Sequence, residues 1–150
     1  MDAVLLDTDV FSYLMKEGDT RAALYRPHVK DKTIALSFVT VGELYVWGVR
    51  RKWNAKRMAS FEQRLKAAII VPYDLDLCRR YGSVRAELLA AGATVTPNDL
   101  WIAVCALRHS LPLITHNLKH FQCIPNLKIV SEAGKPTPTT ATMFPDPPKP

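Results

Sequence analysis

The sequence predicts an α/β domain built on a short, mainly parallel central sheet. Short apolar segments rich in β-branched residues alternate along the chain with longer segments whose apolar residues recur at helical spacing. This alternation is typical of parallel sheets, because each strand needs a crossover helix to reach the next parallel strand. With 150 residues, of which 48% are hydrophobic, the chain is long enough for one such domain with its own core.

The predicted strands are short and apolar, and turn or cap residues follow several of them. Ala-Val-Leu-Leu is followed by Asp7-Thr8-Asp9, a typical helix start, and Ile-Ile-Val is followed by Pro72. The second strand is rich in β-branched residues. The predicted strands are 3–6, 33–39, 69–71, 113–115 and 128–130.

Segments with helical spacing lie between these strands. Gly18 and Gly92 follow two of them, as glycine follows many helix ends. The last is apolar on almost every side, which is typical of a buried helix. The predicted helices are 10–16, 41–53, 55–68, 75–91 and 98–109.

The end of the chain has a different composition. Residues 135–150 contain six of the eleven prolines and few side chains that can build a core. The sequence therefore predicts one domain at 1–132 and a proline-rich, disordered tail at 133–150.

Composition also indicates the compartment. No apolar segment approaches the roughly 20 residues that span a bilayer, and the N-terminus lacks the features of a signal peptide. Cys78, Cys105 and Cys123 are odd in number and lack metal-ligand spacing, which favours reduced, structural cysteines. We therefore expect a cytoplasmic protein that does not associate with a membrane.

The net charge of +6 arises partly from a cluster of basic residues. A solvated helical face is one interpretation of such a cluster. Binding of a polyanion such as a nucleic acid is the other. The cluster comprises Arg50, Arg51, Lys52, Lys56, Arg57, Arg64 and Lys66.

Three acidic residues lie at the junctions between predicted elements. Asp7 follows the first strand, and Glu43 and Asp99 lie in the first turns of helices that can meet it at one edge of the sheet. Carboxylates grouped in this way suit Mg²⁺ or Mn²⁺, which prefer oxygen ligands.

Each of these acids also has a purely structural interpretation. Residues 40–43 (Thr-Val-Gly-Glu) fit a capping box, in which Glu43 bonds back to the helix start. Residues 96–99 (Thr-Pro-Asn-Asp) look similar, with proline at the first helical position. Asp7 is itself suited to cap the helix that begins near Thr8. Spacing alone does not separate capping from metal binding, and the two roles are compatible.

Ordered motifs resemble those of the PIN domain family, particularly toxins of the VapC type. Leu-Leu-Asp-Thr-Asp-Val-Phe-Ser-Tyr-Leu (5–14) resembles the start of these domains, and Val-Thr-Val-Gly-Glu-Leu (39–44) resembles their second acidic motif. The longest match begins with Tyr-Gly-Ser-Val-Arg-Ala-Glu (81–87). It continues through Thr-Pro-Asn-Asp-Leu-Trp-Ile-Ala (96–103) to Leu-Ile-Thr-His-Asn (113–117).

The resemblance implies a PIN-like three-layer α/β/α fold and a Mg²⁺- or Mn²⁺-dependent endoribonuclease that acts as the toxin of a toxin–antitoxin pair. Asp7, Glu43 and Asp99 match the metal-binding acids of the family, and Thr8 and Thr115 match hydroxyl residues near that site. RNA, a cognate antitoxin and a second copy of the chain are the implied partners.

Nucleic-acid contacts are assigned to four basic residues. Arg85 matches a recurrent arginine of the family, although packing or a salt bridge is an equally good role for it. Arg50, Arg51 and Lys52 belong to the basic cluster and are expected to hold phosphates. Tyr45, Trp47 and Trp53 can stack on an unpaired base, but their helical spacing favours core packing or a dimer interface.

The chain departs from the family at one place. Family members often carry a further acid at the position of Asn117, of His120, or of both. Asn117 still offers a carbonyl oxygen and is kept in the predicted catalytic set, while one metal ion is expected in place of two. Asp9 either compensates or caps a helix. His116 and His120 either contact phosphate or have no role in the site.

Two alternative functions remain open on the sequence. Asp7-Thr8-Asp9-Val10 also fits the opening motif of haloacid-dehalogenase-like phosphatases, but the acidic pair that this class requires is absent after Thr115. The second alternative is a PIN-like domain that binds RNA or protein without cutting, suggested by the missing fourth acid.

Overall fold

The computed structural model describes residues 2–137, so Met1 and residues 138–150, most of the predicted tail, lie outside the described residues. Twelve elements follow one another along the described chain. They are β1 (Ala3–Leu6), α1 (Thr8–Met15), α2 (Ala22–Val29), β2 (Thr33–Ser37), α3 (Phe38–Arg50), α4 (Ala55–Ala67), β3 (Ile69–Val71), α5 (Leu75–Ala90), α6 (Pro97–Arg108), β4 (Leu113–Ile114), α7 (Leu118–Phe121) and β5 (Ile129–Val130).

The five strands form one sheet in the order β3-β2-β1-β4-β5, and every pairing in it is parallel. Strand β1 is central and pairs through Leu5 with both Ala35 of β2 and Leu113 of β4. The predicted α/β class with a short parallel sheet is confirmed.

Two apolar cores, one on each face of the sheet, make the fold a three-layer α/β/α structure. Because side chains alternate along a strand, Val4 and Leu6 of β1 enter one core while Leu5 between them enters the other. The first core contains buried residues of α1, α2, α3 and α4, and the second contains those of α5, α6 and α7. The central strand is therefore covered on both sides, which explains its continuous apolar run.

The strand order reverses between β1 and β4, and this reversal positions the site. From β1 the chain proceeds outward to β2 and β3, and it then returns across the other face to β4 and β5. At such a reversal, the loops that follow the two central strands diverge and leave a crevice at the carboxyl ends of the strands. Asp7 follows β1 at this edge, and Thr115 follows β4.

The main differences from the prediction are two additional helices and the start of α3, where residues 38 and 39 are helical and not part of the second strand. The sequence analysis did not predict α2, which contains Pro27, or the four-residue α7. Helix α3 begins at Phe38 rather than at residue 41, because Ser37 at the end of β2 is its N-cap and accepts a hydrogen bond from Thr40 N at 3.0 Å. Thr40 lies inside the helix, so the predicted capping box with Glu43 is wrong.

The three cysteines lie in different environments. Cys105 is buried in the second core, while Cys78 and Cys123 are exposed, and all three are free. Within residues 2–137, no helix combines the length and the apolar character needed to cross a membrane.

Candidate active site

Asp7 occupies the centre of the crevice and performs two structural tasks. It is the N-cap of α1, where its Oδ1 accepts a hydrogen bond from Thr8 N at 2.8 Å. Its Oδ2 accepts a hydrogen bond from the Thr115 hydroxyl at 2.7 Å, which joins the ends of β1 and β4. The residue is only 4% exposed, so its side chain has little freedom to change orientation. The predicted capping role is confirmed, and the second carboxylate oxygen faces the next strand.

Glu43 is brought to Asp7 through the hydroxyl of Thr8. Thr8 Oγ1 lies 2.8 Å from Glu43 Oε1, to which it donates, and 3.0 Å from the hydroxyl of Thr40. Thr8 and Thr40 are buried, and Glu43 is partly buried. This chain of polar groups connects the first turn of α1 with the second turn of α3, so Glu43 extends into the crevice and does not cap its own helix.

Asp99 enters the site from the other side of the sheet. It lies in the first turn of α6, where Thr96 is the N-cap and accepts a hydrogen bond from Asp99 N at 3.2 Å, with Pro97 at the start of the helix. Thr96 therefore caps the helix as predicted. The Asp99 carboxylate is left free to face the crevice, and its Oδ2 lies 3.2 Å from Nδ1 of His120.

A fourth acid, Asp9, completes the group. Asn117 Nδ2 donates a hydrogen bond to Asp9 Oδ2 at 2.6 Å, and Asn117 N donates to the Thr115 hydroxyl at 3.0 Å. The segment after β4 thus contacts three acids through three different residues: Thr115 contacts Asp7, Asn117 contacts Asp9, and His120 contacts Asp99. The sequence analysis left the role of Asp9 open; the structure places it in the site.

The electrostatics of the site favour a cation. Burial above all, together with the negative charges of Asp9 and Asp99, raises the pKa of Asp7 to about 6 against the lowering effect of its hydrogen bonds to Thr115 and Thr8. Burial also raises the pKa of Glu43, and Asp99 and Asp9 again add to the rise. Four carboxylates that repel one another in a partly buried crevice are stabilised by a bound positive charge.

The donor set fits a hard divalent cation. Within residues 2–137, no three His, Cys, Asp or Glu side chains already lie close enough together to enclose one metal ion. The groups that converge are nevertheless carboxylate oxygens with an amide and hydroxyls around them, which is the chemistry that Mg²⁺ and Mn²⁺ prefer. Asp7, Glu43 and Asp99 are positioned by three different helices, α1, α3 and α6, and interact with one another across the crevice.

The structure brings six of the predicted site residues together and leaves the predicted basic residues elsewhere. Arg50, Arg51 and Lys52 are exposed at or just beyond the end of α3, about two helical turns or more from Glu43. The six residues at the crevice are Asp7, Thr8, Glu43, Asp99, Thr115 and Asn117.

The aromatic residues and His116 have packing roles. Trp47 and Trp53 pack against the first core, each beneath an arginine guanidinium, and Tyr45 lies edge-on to Phe61. His116 Nδ1 forms a 2.6 Å hydrogen bond with the Tyr25 hydroxyl, which directs the imidazole away from the acids. His120 lies in α7 and His116 precedes that helix. Predicting α7 from the sequence would therefore have distinguished the positions of the two histidines, but the helix was not predicted.

Arg85 is engaged in contacts within the fold. Its guanidinium donates to the carbonyl of Val95 at 2.9 Å and to the Tyr81 hydroxyl at 3.4 Å, and it lies over the Tyr81 ring. Val95 precedes the cap of α6, so Arg85 supports the helix start that carries Asp99. The structure thus gives Arg85 a packing role, which the sequence analysis named as the alternative to nucleic-acid binding.

Arg85→Ala is expected to destabilise the domain by about 1.5–3 kcal/mol, because a charge-assisted hydrogen bond to a partly buried carbonyl is lost. Its effect on RNA affinity should be less than about threefold, since an engaged guanidinium contributes little to phosphate binding. Urea unfolding and RNA binding by fluorescence anisotropy measure the two quantities. Arg79→Ala, an exposed arginine on the same helix, is the control. A large loss of RNA affinity with unchanged stability would restore the nucleic-acid role.

The chain is similar to known proteins over most of its length. A PIN domain family model matches residues 4–124. Ribonuclease VapC2 of Rickettsia felis is 32% identical over 128 residues, covering 82% of this chain and 92% of that protein. The tRNA(fMet)-specific endonuclease VapC of Salmonella typhimurium is 28% identical over 126 residues, covering 83% and 94%. The crystal structure of VapBC2 from Rickettsia felis bound to a promoter DNA fragment aligns with a TM-score of 0.75 at 27% identity, covering 86% of this chain and 98% of that one.

These matches cover nearly all of the described domain, including every residue of the crevice. They confirm the resemblance that the ordered motifs carried, and they exclude the haloacid-dehalogenase-like alternative. The chain belongs to the PIN domain family, as a VapC-type toxin endoribonuclease.

Proposed function

We propose that this endoribonuclease hydrolyses RNA phosphodiester bonds with the help of a Mg²⁺ or Mn²⁺ ion held by Asp7, Glu43 and Asp99. The observation that carries the proposal is the state of Asp7, a residue that is 4% exposed and whose carboxyl pKa is raised to about 6. Ionising such a group without a partner costs free energy. A divalent cation that binds it offsets this cost, and the neighbouring acids supply further ligands.

The residues of the crevice have different roles in the proposed reaction: some bind the ion, some orient its ligands and one accepts a proton. When bound, a divalent ion lowers the pKa of a coordinated water and stabilises the charge that develops on the scissile phosphate. Thr115 holds Asp7 and Thr8 holds Glu43 in fixed orientations, which keeps their oxygens ready for binding. Asp99 lies at the open side of the site, 20% exposed, and is the acid best placed to accept a proton from the attacking water.

The proposal is tested by removing and restoring the metal. The purified chain is treated with EDTA, dialysed and incubated with labelled RNA and with DNA of the same sequence, with or without added Mg²⁺, Mn²⁺ or Ca²⁺. Transfer RNA is the first substrate to test, because one relative is named a tRNA(fMet)-specific endonuclease. We expect RNA cleavage with Mg²⁺ or Mn²⁺ only. Cleavage that persists in EDTA would contradict metal dependence, and binding without cleavage under every condition would favour the non-cleaving alternative.

We further propose that an antitoxin binds a groove between the end of α1 and the face of α4, called here the α1–α4 groove. The groove has a volume of about 630 Å³. Apolar side chains of Met15, Trp53 and Phe61 lie beside basic side chains, which suits an amphipathic helix with acidic residues on its polar face. The residues that line it are Met15, Lys16, Glu17, Trp53, Asn54, Lys56, Arg57, Ser60, Phe61 and Arg64.

Reversing the charge of this groove is expected to weaken the antitoxin complex. Lys56→Glu combined with Arg57→Glu should lower the affinity for the protein that copurifies with the chain from its host by roughly 30-fold or more. RNA cleavage by the free chain should remain within about twofold, because both residues lie beyond the crevice. The matched control is Arg79→Glu combined with Arg80→Glu on α5. Equal affinity for the two double variants, measured by biolayer interferometry, would place the antitoxin elsewhere.

A homodimer is proposed from an apolar patch on the outer face of α3 and the edge of the sheet. Val49 and Tyr73 are both 73% exposed and Val46 is 53% exposed, beside the edge strand residues Ile69 and Ile70. Helix α3 packs against β3, and exposed apolar side chains that form one patch commonly mark a protein interface. Sedimentation velocity measures the association, and a monomer at every concentration up to the millimolar range would contradict it.

Because the substrate class is RNA, the proposed compartment is the cytoplasm.

A further inference from the structure

A buried hydroxyl lies behind the segment that carries Thr115 and Asn117. Tyr25, on α2, is fully buried, and its hydroxyl forms a 2.6 Å hydrogen bond with His116 Nδ1. The same hydroxyl accepts a hydrogen bond from Glu132 N at 3.1 Å and lies 3.5 Å from the carbonyl oxygen of Thr115. It therefore joins α2, the segment after β4 and the segment after β5.

The segment after β4 is held from two opposite sides. Residues 115–117 belong to neither a strand nor a helix. Thr115 and Asn117 hydrogen-bond to two acids of the crevice, whereas His116 between them hydrogen-bonds to Tyr25. Because the imidazole is anchored on the side away from the acids, its hydrogen bond restrains rotations of the backbone that would carry the Thr115 hydroxyl out of the site.

The surroundings of His116 keep this anchor in place. Its ring lies edge-on to the rings of Tyr13 and Tyr25, and each pair of ring centroids is 5.7 Å apart. Burial raises the pKa of the Tyr25 hydroxyl above its ordinary value, so the hydroxyl stays protonated. A protonated phenol donates one hydrogen bond and accepts others, which allows it to serve both His116 and Glu132 N at once.

We propose that Tyr25 is a positioning residue for RNA cleavage: through His116, its hydroxyl holds the segment after β4 in the conformation in which Thr115 orients Asp7. Tyr25 is fully buried, so it acts without touching the RNA. A displacement of about 1 Å at a reacting group lowers a rate by up to about a hundredfold, so a small shift of Thr115 has a measurable effect. The inference rests on the proposed role of Asp7 in the reaction.

The steady-state kinetics of transfer RNA cleavage with saturating Mn²⁺ test the effect on the reaction. Tyr25→Phe removes only the hydroxyl, and we expect kcat to fall about tenfold or more while KM stays within about twofold. His116→Phe should give a similar loss. His116→Asn should restore kcat to within about threefold of the unmodified chain, because its amide keeps a polar atom near the position of Nδ1. Tyr45→Phe, whose ring packs edge-on to Phe61, is the control and should leave kcat unchanged.

A double variant tests whether Tyr25 acts through His116. If the two side chains work as one unit, Tyr25→Phe combined with His116→Phe loses no more activity than either single variant. A loss equal to the product of the two single losses would show that they act independently, and would overturn the inference.

Hydrogen exchange of the metal-free chain, followed by NMR, supplies a readout that does not depend on activity. The backbone N–H of Asn117 donates to the Thr115 hydroxyl at 3.0 Å, so its exchange rate reports the order of the segment. In Tyr25→Phe this rate should rise about tenfold more than the rate at Val104, a buried residue of α6 whose exchange reports unfolding of the whole domain.

The outcomes separate this inference from the proposed function. An unchanged kcat in Tyr25→Phe, a loss confined to KM, or equal rises in exchange at Asn117 and Val104 would overturn the role of Tyr25 alone; the last would leave it only a part of the core. Equal cleavage by Asp7→Asn and the unmodified chain would overturn the proposed role of Asp7, and this inference with it.

Discussion

Asp7→Asn is expected to lower the rate of RNA cleavage by about a thousandfold or more while leaving the fold intact. The substitution removes the buried charge at the centre of the proposed metal site, and with it several kcal/mol of stabilisation of the transition state. The amide keeps the size of the carboxylate and can still cap α1 and contact Thr115. Single-turnover cleavage of transfer RNA with saturating Mn²⁺ measures the effect, and circular dichroism checks the fold.

Two further variants complete this experiment. Asp99→Asn should give a loss of similar size, because it removes a second proposed metal ligand from a different helix. Asp2→Asn is the control: its side chain is 71% exposed and its ion pair with Lys32 lies on the surface, so cleavage should be unchanged. If RNA decays equally fast with the unmodified chain, Asp7→Asn and Asp99→Asn, the nuclease activity does not belong to this site.

The second large effect concerns the stability of the metal-free chain as a function of pH. In the folded chain the pKa of Asp7 is about 6, compared with 3.8 for the exposed group. Between these values the folded chain retains a proton that the unfolded chain has released. The contribution of Asp7 to stability therefore falls as the pH rises through this window, by up to about 3 kcal/mol at pH 7.

Comparison with Asp7→Asn isolates this contribution from that of all other groups. At pH 4 the two proteins should have nearly equal free energies of unfolding, and at pH 7 the variant should be more stable. Saturating Mn²⁺ at pH 7 should reverse the order, because the ion binds only the carboxylate form of the folded chain. Urea unfolding with and without Mn²⁺ gives these free energies. A difference that is the same at pH 4 and pH 7 would show that Asp7 is not desolvated.

These predictions depend on a site whose residues the sequence revealed only in part. Asp7 and Asp99 were recognised as both possible caps and possible ligands, and the structure confirms a position at a helix start for each. For Glu43 the capping interpretation was wrong, because the helix is capped by Ser37, three residues before the predicted cap Thr40. A cap is a local feature, but which of two nearby hydroxyl residues becomes the cap depends on where the preceding strand ends.

The two helices that were not predicted show a similar dependence on context. Helix α2 carries Pro27 within its eight residues and has a weak apolar periodicity, so local propensity opposes it. Packing of Tyr25, which is fully buried in the first core, stabilises it in the folded chain. Helix α7 has four residues and buries Phe121. Such short elements leave too little periodic pattern to detect, and His120 owes its position to one of them.

The amino-acid sequence by itself determined the α/β class, the number of strands, the family resemblance and the three acids at the centre of the site. It did so because strand and helix periodicity, helix starts and ordered motifs are local properties that can be read along the chain. Only the tertiary structure decided which side chains from distant parts of the chain contact each other. These pairs are Thr8 with Glu43, Asn117 with Asp9 and His120 with Asp99. Those pairs join residues of different elements, and their contacts follow from the order of the strands and the packing of helices on both faces of the sheet.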